Sequence, residues 1–229
     1  MTEPPAAASP PAAASERDVL LATKLYMPAP RPGLVPRPRL AERLDEGLTR
    51  GLVLVSAPAG YGKTVLLADW AQRAQFPAAW LSLDAGDNDP ARFWRYGVAA
   101  LDRVRPGIGV RVGPLLGPPA PTSFEPLVTA LINELAGQPG NDEVLLVLDD
   151  YHVIGAQPVH ASVGFLVEHR PAELHLVLAS RSDPPLVLAP HPPPGQTRRG
   201  QPHRSRHPGP AARPDPLRRV MWVDVGVSC

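Results

Sequence analysis

The stretch VLVSAPAGYGKTVLLADW, residues 53–70, combines three patterns in direct succession. An apolar, β-rich run comes first and is typical of a buried strand. A turn of small residues with Gly60 and Gly62 follows, and Lys63 and Thr64 then open an apolar pattern with helical spacing. A strand, a glycine-containing loop, a Lys-Thr pair and a helix form a cradle for phosphate, because the loop amides and the helix N-terminus face the anion. The stretch therefore predicts an α/β fold with a phosphate site.

The residue types in this loop suit that chemistry, with one departure. Gly60 and Gly62 let the backbone approach a phosphate closely, which a Cβ atom would obstruct. Lys63 would reach the outer phosphates, and Thr64 would offer its hydroxyl to Mg²⁺. Ala57 stands where the usual pattern has glycine. The plain alternative is a strand-to-helix connection that happens to contain a Lys-Thr pair.

Two more apolar runs end in polar side chains that belong at the same sheet edge. VLLVLDD, residues 144–150, ends in two carboxylates, and LVLASRSD, residues 176–183, carries Arg181. Asp149 is the predicted ligand for Mg²⁺ or its water, with an ordinary acidic turn as the alternative. Asp150 either polarises a water molecule or solvates the strand end. Arg181 either senses a terminal phosphate or is a solvated arginine, since ligands of open α/β sheets bind at this edge.

The order of elements predicts a parallel sheet covered by helices on both faces, a three-layer αβα fold. Four runs that are apolar on both faces read as strands, and amphipathic or apolar segments between them read as helices. The predicted strands are within residues 51–57, 78–89, 142–154 and 174–185, and the predicted helices are at 39–48, 63–76, 89–104, 123–137 and 161–171. Ser123 is the predicted N-cap of its helix, and Gly137 its end.

Composition excludes several classes of protein. The apolar fraction of 44% permits a real core. The net charge of +1 hides an asymmetry, because residues 1–188 contain 16 basic and 20 acidic side chains and the remainder is basic. The body is therefore not a basic surface for nucleic acid. Cys229 is the only cysteine, which excludes an intrachain disulfide and a thiolate zinc cluster. The first 18 residues do not resemble a signal peptide, and no apolar run reaches the roughly 18 residues of a membrane span. We expect a cytoplasmic protein without membrane contact.

Proline content divides the chain into three parts. Residues 1–18 are rich in Ala, Pro and Ser and are expected to be a disordered leader, whereas residues 19–188 form the P-loop NTPase domain. Residues 189–229 are a Pro/Arg-rich tail in which we expect disorder and no regular element. We hypothesise that the reading frame shifts near Leu188 to Pro190, so that the tail is out-of-frame translation. The alternative is a basic arm that binds nucleic acid or another anionic surface.

A few other residues have plainer interpretations. Trp70, Trp80 and Trp94 are expected in the core rather than on a stacking surface. His152, just past the two carboxylates, reads as a loop histidine rather than a base. The segment GDNDP, residues 86–90, lacks the distal Glu of an EF-hand and reads as a turn with a helix cap.

Five segments together resemble one family. They are TKLYMPAPRPGLVPRPRLAERL, LVLVSAPAGYGKTVLLADWA, AAWLSLDAGDNDPARFW, LLVLDDYHVI and LHLVLASRSDPPL, in this order within residues 20–188. They resemble the N-terminal ATPase domain of the large ATP-binding LuxR-type transcriptional regulators. These are signal-transduction ATPases with numerous domains, and they include the maltose-regulator type.

The resemblance implies a switch driven by ATP and ADP, with Mg²⁺ and slow hydrolysis. ADP would favour a closed monomer, and ATP with an inducer would favour a homo-oligomer that binds promoter DNA. By position, Asp149 would hold magnesium, Asp150 would be the water-activating acid and Arg181 the phosphate sensor. The region around Val35 and Arg37 would border the adenine. The implied phosphate-contacting residues are Ala57, Pro58, Ala59, Gly60, Tyr61, Gly62, Lys63, Thr64 and Val65.

The resemblance ends near residue 188, so the helical segment, winged-helix region, sensor and DNA-binding region of the family have no counterpart here. Promoter DNA would therefore be a partner only through a missing C-terminal region. Two other functions stay open at this point. One is a stand-alone P-loop kinase or ATPase whose acidic DAGDND loop contacts an acceptor. The other is a non-functional fragment that has lost packing partners.

Overall fold

A five-stranded parallel sheet is the centre of the computed structural model, which describes residues 20–29, 33, 35–118, 121–137, 143–186 and 220–225. The strands lie in the order β2-β3-β4-β1-β5. Their bounds are β1 Leu52–Ser56, β2 Ala78–Ser82, β3 Val144–Asp149, β4 Leu174–Ser180 and β5 Val220–Asp224. Neighbouring strands are parallel throughout, so all carboxyl ends meet at one edge of the sheet.

Helices connect the strands and cover both faces of the sheet. The α-helices are α1 Pro38–Leu48, α2 Lys63–Arg73, α3 Pro90–Val104, α4 Ile108–Val112, α5 Glu125–Ala136 and α6 Gln157–His169. Short 3₁₀ helices are at Ala22–Leu25, Ala85–Asn88, Gly113–Leu116 and Tyr151–Val153. None of the helices in the described ranges is long and apolar enough to cross a membrane.

Two hydrophobic cores form because successive strand residues point to opposite faces. Leu54 and Leu178 lie on one face, in a core with α3, α5 and α6. Val53 and Val177 lie on the other, in a core with α1 and α2. The sheet is therefore buried on both sides, which confirms the three-layer αβα fold. Trp70, Trp80 and Trp94 are all buried, as predicted.

The tail contains a strand that the sequence patterns did not predict. Val220–Asp224 pairs in parallel with β1, with Val223 opposite Val55. The expectation that no regular element forms after residue 188 is wrong at this strand. The strand forms here because VMWVD contains no proline, and its valines and other apolar residues favour a buried strand. The residues before it are proline-rich. The leader and the rest of the tail lie outside the described residues.

Two local expectations also need correction. The helix assigned to Ser123 begins at Glu125 with Phe124 as N-cap, and the Ser123 hydroxyl accepts a hydrogen bond from the Glu125 amide at 3.3 Å. Proline at the second helical position favours this later start, because its fixed φ suits the first turn. The prolines of residues 20–40 predict an extended chain, but Ala22–Leu25, whose own sequence has no proline, forms a 3₁₀ turn.

Candidate nucleotide-binding site

The loop between β1 and α2 lies at the carboxyl edge of the sheet, where the sequence pattern predicts a phosphate cradle. Gly60 and Gly62 have left-handed φ values of +85° and +77°, which residues with a Cβ rarely adopt. Gly62 is the N-cap of α2, and no side chain caps this helix end. The first amides of α2 therefore keep hydrogen-bonding capacity for an anion.

Lys63 folds back over this loop and is 6% exposed. Its Nζ donates to the carbonyl oxygens of Ala57 at 2.7 Å and Pro58 at 3.2 Å. Burial lowers the pKa of Lys63, and the negative charge of Asp150 opposes this shift. The ammonium group is thus held among loop oxygens, at the position from which phosphate oxygens could replace them.

Thr64 and Asp149 meet across the gap between α2 and β3. The Thr64 side chain lies beside the Asp149 carboxylate, which is 2% exposed at the end of β3. Burial raises the pKa of Asp149, and the hydrogen bond from Thr64 opposes this shift. The loop and the carboxylate are therefore at the same edge, as strand order requires.

These oxygen atoms fit a magnesium ion. A hydroxyl and a carboxylate are ligands that Mg²⁺ accepts, usually together with waters and substrate phosphates. The charge of the buried carboxylate is also unfavourable where it lies, since burial raises its pKa. A divalent cation would relieve that cost.

Asp150 adopts a left-handed backbone conformation, with a φ of +57°. It is the one residue other than glycine with a positive φ in the described ranges. Its side chain is 42% exposed, and its amide donates to Asp149 Oδ1 at 3.0 Å. The second carboxylate is therefore accessible to water, in contrast to the buried Asp149.

His152 and Arg181 join this group. His152 is 15% exposed, its Nδ1 lies 3.7 Å from Asp150 Oδ1, and this nitrogen has no hydrogen-bond partner. Burial lowers the pKa of His152, and the charges of Arg181 and Lys63 act in the same direction. Arg181 itself is exposed just past β4. His152 therefore lies in the turn after the two carboxylates, beside the predicted site residues.

A cavity of about 260 Å³ adjoins the loop on the α2 side. Its lining residues are Gly33, Val35, Arg37, Gly62, Val65, Leu66 and Asp69. Arg37 Nη1 donates to the carbonyl oxygen of Tyr61 at 3.1 Å, which ties the start of α1 to the loop. The position of this cavity suits the base end of a nucleotide whose phosphates lie in the loop.

The acidic segment after β2 does not present free carboxylates for an acceptor. Asp84 and Asp87 form a capping box, and both accept hydrogen bonds from Lys24. Asp89 caps α3 by accepting from the Arg92 amide at 2.7 Å. The turn-and-cap interpretation of GDNDP is confirmed.

Comparison with known proteins identifies relatives that match about three quarters of the chain. The chain is 37% identical over 171 residues to the HTH-type transcriptional regulator MalT of Serratia proteamaculans, which is 75% of this chain and 19% of that protein. It is 36% identical over 168 residues to MalT of Vibrio cholerae, which is 73% of this chain and 18% of that protein. This chain is therefore similar, over about three quarters of its length, to one part of the MalT-type regulators. No protein-family model matches it.

The similarity to MalT is limited to one segment of that protein, since this chain spans only about a fifth of the length of these relatives. Among solved structures, the Walker-type ATPase of Pyrococcus abyssi aligns with a TM-score of 0.42 and 14% identity, over 66% of this chain and 46% of that one. The P-loop assignment depends on the strand order and on the loop geometry of the chain itself.

Proposed function

We propose that this chain contains the ATP-binding module of a LuxR-type transcriptional regulator, working as a nucleotide-dependent switch. One observation carries the proposal: Thr64, in the first turn of α2, lies beside the buried carboxylate of Asp149, so that the end of β3 adjoins the phosphate loop. P-loop nucleotide sites bring these two groups together to hold a metal ion beside the phosphates. The names of the relatives, HTH-type transcriptional regulators, support the regulatory part.

Binding would use groups that are already oriented. Lys63 exchanges its loop carbonyl partners for the outer phosphates, and the α2 amides receive phosphate oxygens. Thr64 and Asp149 would hold Mg²⁺, which neutralises charge on the transferred phosphoryl group. The base would enter the cavity bordered by Val35 and Arg37. ATP and ADP are the proposed ligands.

Hydrolysis would depend on positioning and electrostatics, with little covalent chemistry by the protein. Asp150 orients the attacking water and accepts its proton as the bond to the terminal phosphate breaks. Arg181 faces the developing negative charge. His152, whose lowered pKa keeps it neutral, lies beside Asp150 and forms no ion pair with its carboxylate. A switch requires a long-lived bound state, so we propose slow turnover.

Regulation would act through the difference between ATP and ADP. We propose that the ATP form, with an inducer, assembles into a homo-oligomer, and that promoter DNA is bound through a region of the full-length regulator outside these 229 residues. A cytoplasmic location suits this function. The names of the relatives, of which this chain spans about a fifth, support only the transcriptional part of this proposal.

Asp150→Asn tests the catalytic part of the proposal. Asparagine is isosteric and tolerates the left-handed backbone that this position requires. We expect the dissociation constant for Mg·ATP to change by less than about threefold, and turnover to fall by about 100-fold as general-base catalysis is lost. Calorimetry and a phosphate-release assay measure the two quantities. Wild-type turnover in the variant would mean that Asp150 merely solvates the strand end.

A further inference from the structure

Asn88 connects two loops at the carboxyl edge of the sheet. Its Nδ2 donates to the carbonyl oxygens of Ala85 at 3.0 Å and Val153 at 2.9 Å. Its Oδ1 accepts from the amides of Gly155 at 2.7 Å and Ala156 at 2.9 Å. An asparagine side chain has two donors and two acceptor sites, so its full capacity is used on backbone groups.

Three of these four bonds go to the segment that follows the catalytic carboxylates. Asp150 begins this segment in its left-handed conformation, and the 3₁₀ helix Tyr151–Val153 carries His152. Gly155 and Ala156 then lead into α6. Its N-cap residue, Ala156, has no side-chain acceptor that could cap the helix. A left-handed non-glycine residue persists only where its surroundings hold it. Asn88, which lies outside the segment, stabilises its conformation through these hydrogen bonds.

The loop that carries Asn88 is itself anchored. Asp87 is fully buried and accepts hydrogen bonds from both Lys24 and Arg92. Asp84 closes the same turn by accepting from the Gly86 amide at 2.8 Å. A side chain fixed in this way can set the position of the loop it bonds to.

We propose that Asn88 is a positioning residue for hydrolysis: its amide holds the segment after β3, so that Asp150 and His152 stay in place for the attacking water. The inference rests on the proposed function, because it concerns the same site. Asn88 touches neither the phosphate loop nor the cavity beside α2 in the described structure. Its loss should therefore affect turnover and leave nucleotide affinity unchanged.

Asn88→Ala in the full chain is the test, with Asp102→Ala as the matched control. Asp102 also accepts from two backbone amides, Gly107 at 2.9 Å and Gly109 at 2.8 Å, but at the opposite end of α3. We expect Asn88→Ala to lower turnover by about 10- to 100-fold, the effect of misplacing a catalytic group by about 1 Å. The dissociation constant for Mg·ATP should stay within about threefold. Asp102→Ala should lose stability and keep both values.

The outcomes separate the inference from the proposed function. If wild-type protein neither binds nor hydrolyses Mg·ATP, the proposed function fails and the inference fails with it. If wild type turns over and Asn88→Ala matches it, or if Asp102→Ala loses turnover equally, only the positioning role is overturned. Should Asn88→Ala not fold, Asn88→Asp retains the two bonds from Gly155 and Ala156 and loses the donor to Val153. A turnover equal to wild type in that variant would also overturn the role.

Discussion

Asp149 combines a structural cost with the most specific role proposed at the site. Its carboxylate is buried at the end of β3, where it accepts from the Asp150 amide at 3.0 Å and the Thr64 side chain lies beside it. Lys63, the nearest candidate counter-charge, directs its Nζ to carbonyl oxygens of the loop. A buried charge without a direct ionic partner destabilises a fold, and such groups are common at binding sites.

We predict that Asp149→Asn stabilises the protein without ligand and removes the effect of Mg²⁺ on ATP binding. Asparagine can still accept the Thr64 hydrogen bond but carries no charge to bury. The gain should be on the order of 1 kcal/mol, or about 2–4 °C in melting temperature for a chain of this size. Thermal unfolding at pH 7 and calorimetry with and without Mg²⁺ measure the two effects. Lower stability together with unchanged Mg²⁺ dependence would contradict the metal role.

The same variant has a predicted pH dependence. Burial raises the pKa of Asp149 above its ordinary value of 3.8, so the folded state binds this proton more tightly than the unfolded chain. The stability advantage of Asp149→Asn over wild type is therefore complete above the folded pKa. It should shrink as the pH falls through that pKa and vanish below 3.8. Denaturant unfolding of both proteins across the acid range checks the sign.

For individual residues, sequence spacing predicted which site residues lie close together, but it did not predict the residues that hold the site loops in place. Thr64 and Asp149 could be predicted to approach each other, because parallel strands place their carboxyl ends at one edge. The bonds of Asn88 could not, because Val153 is 65 positions away and the contact depends on how two loops fold. The burial of His152 near Arg181 could not be predicted for a similar reason, since it is a tertiary property.

Helix α1 packs on β1 and β5 through a glycine. A Cβ atom added at Gly47 would lie 2.5 Å from Val53 Cγ2 and 3.2 Å from Met221 Sδ. Gly164, inside α6, has no heavy atom within 4 Å of the same added atom. Both glycines lie in helices, but only Gly47 is tightly packed against its neighbours.

We predict opposite effects of alanine at these two positions. Gly164→Ala should stabilise the protein by about 0.5–1 kcal/mol, because alanine loses less backbone entropy in a helix. Gly47→Ala should destabilise it by about 1–3 kcal/mol, because overpacking outweighs the same helical gain. Chemical denaturation of the two variants measures both. Stabilisation by Gly47→Ala would show that α1 does not lie on β1 as described.

Elements with a regular apolar pattern were predicted well, and the exceptions have local causes. The four strands of the body and the helices between them follow from their 2- and 3.6-residue periods. The strand Val220–Asp224 was missed because the proline content of the tail as a whole outweighed a five-residue run. Helix α4, Ile108–Val112, has only five residues and two glycine neighbours, which is too short for a periodic signal.

For the whole molecule, β5 determines whether β1 lies inside the sheet or at its edge. Without β5, β1 would be an edge strand directly beside the phosphate loop, and exposed edges promote association between chains. Val223 is fully buried in the core shared with α1 and α2. The tail therefore contributes to the fold at this strand. Its out-of-frame origin stays a hypothesis that resequencing of the locus tests.

We predict that Val223→Ala lowers the free energy of unfolding by about 1–3 kcal/mol, as expected for removing buried methyl groups. Val110→Ala is the control, since Val110 is 80% exposed on α4 and should change stability by less than about 0.5 kcal/mol. Equal stability of both variants would mean that β5 does not pack on the sheet in solution. A cooperative thermal melt of the wild type, together with little binding of ANS, a dye that reports exposed apolar surface, would also argue against a non-functional fragment.

The central claim is that the loop after β1 binds the phosphates of ATP, and calorimetry on Lys63→Ala tests it most directly. Arg111→Ala, which also removes one positive charge but lies at the Glu134 ion pair, is the control. With Mg²⁺ present, we predict that Lys63→Ala weakens ATP binding by about 10- to 100-fold, the value of a charged hydrogen bond, and that the control binds like wild type. Equal ATP affinity of Lys63→Ala and wild type would contradict the account.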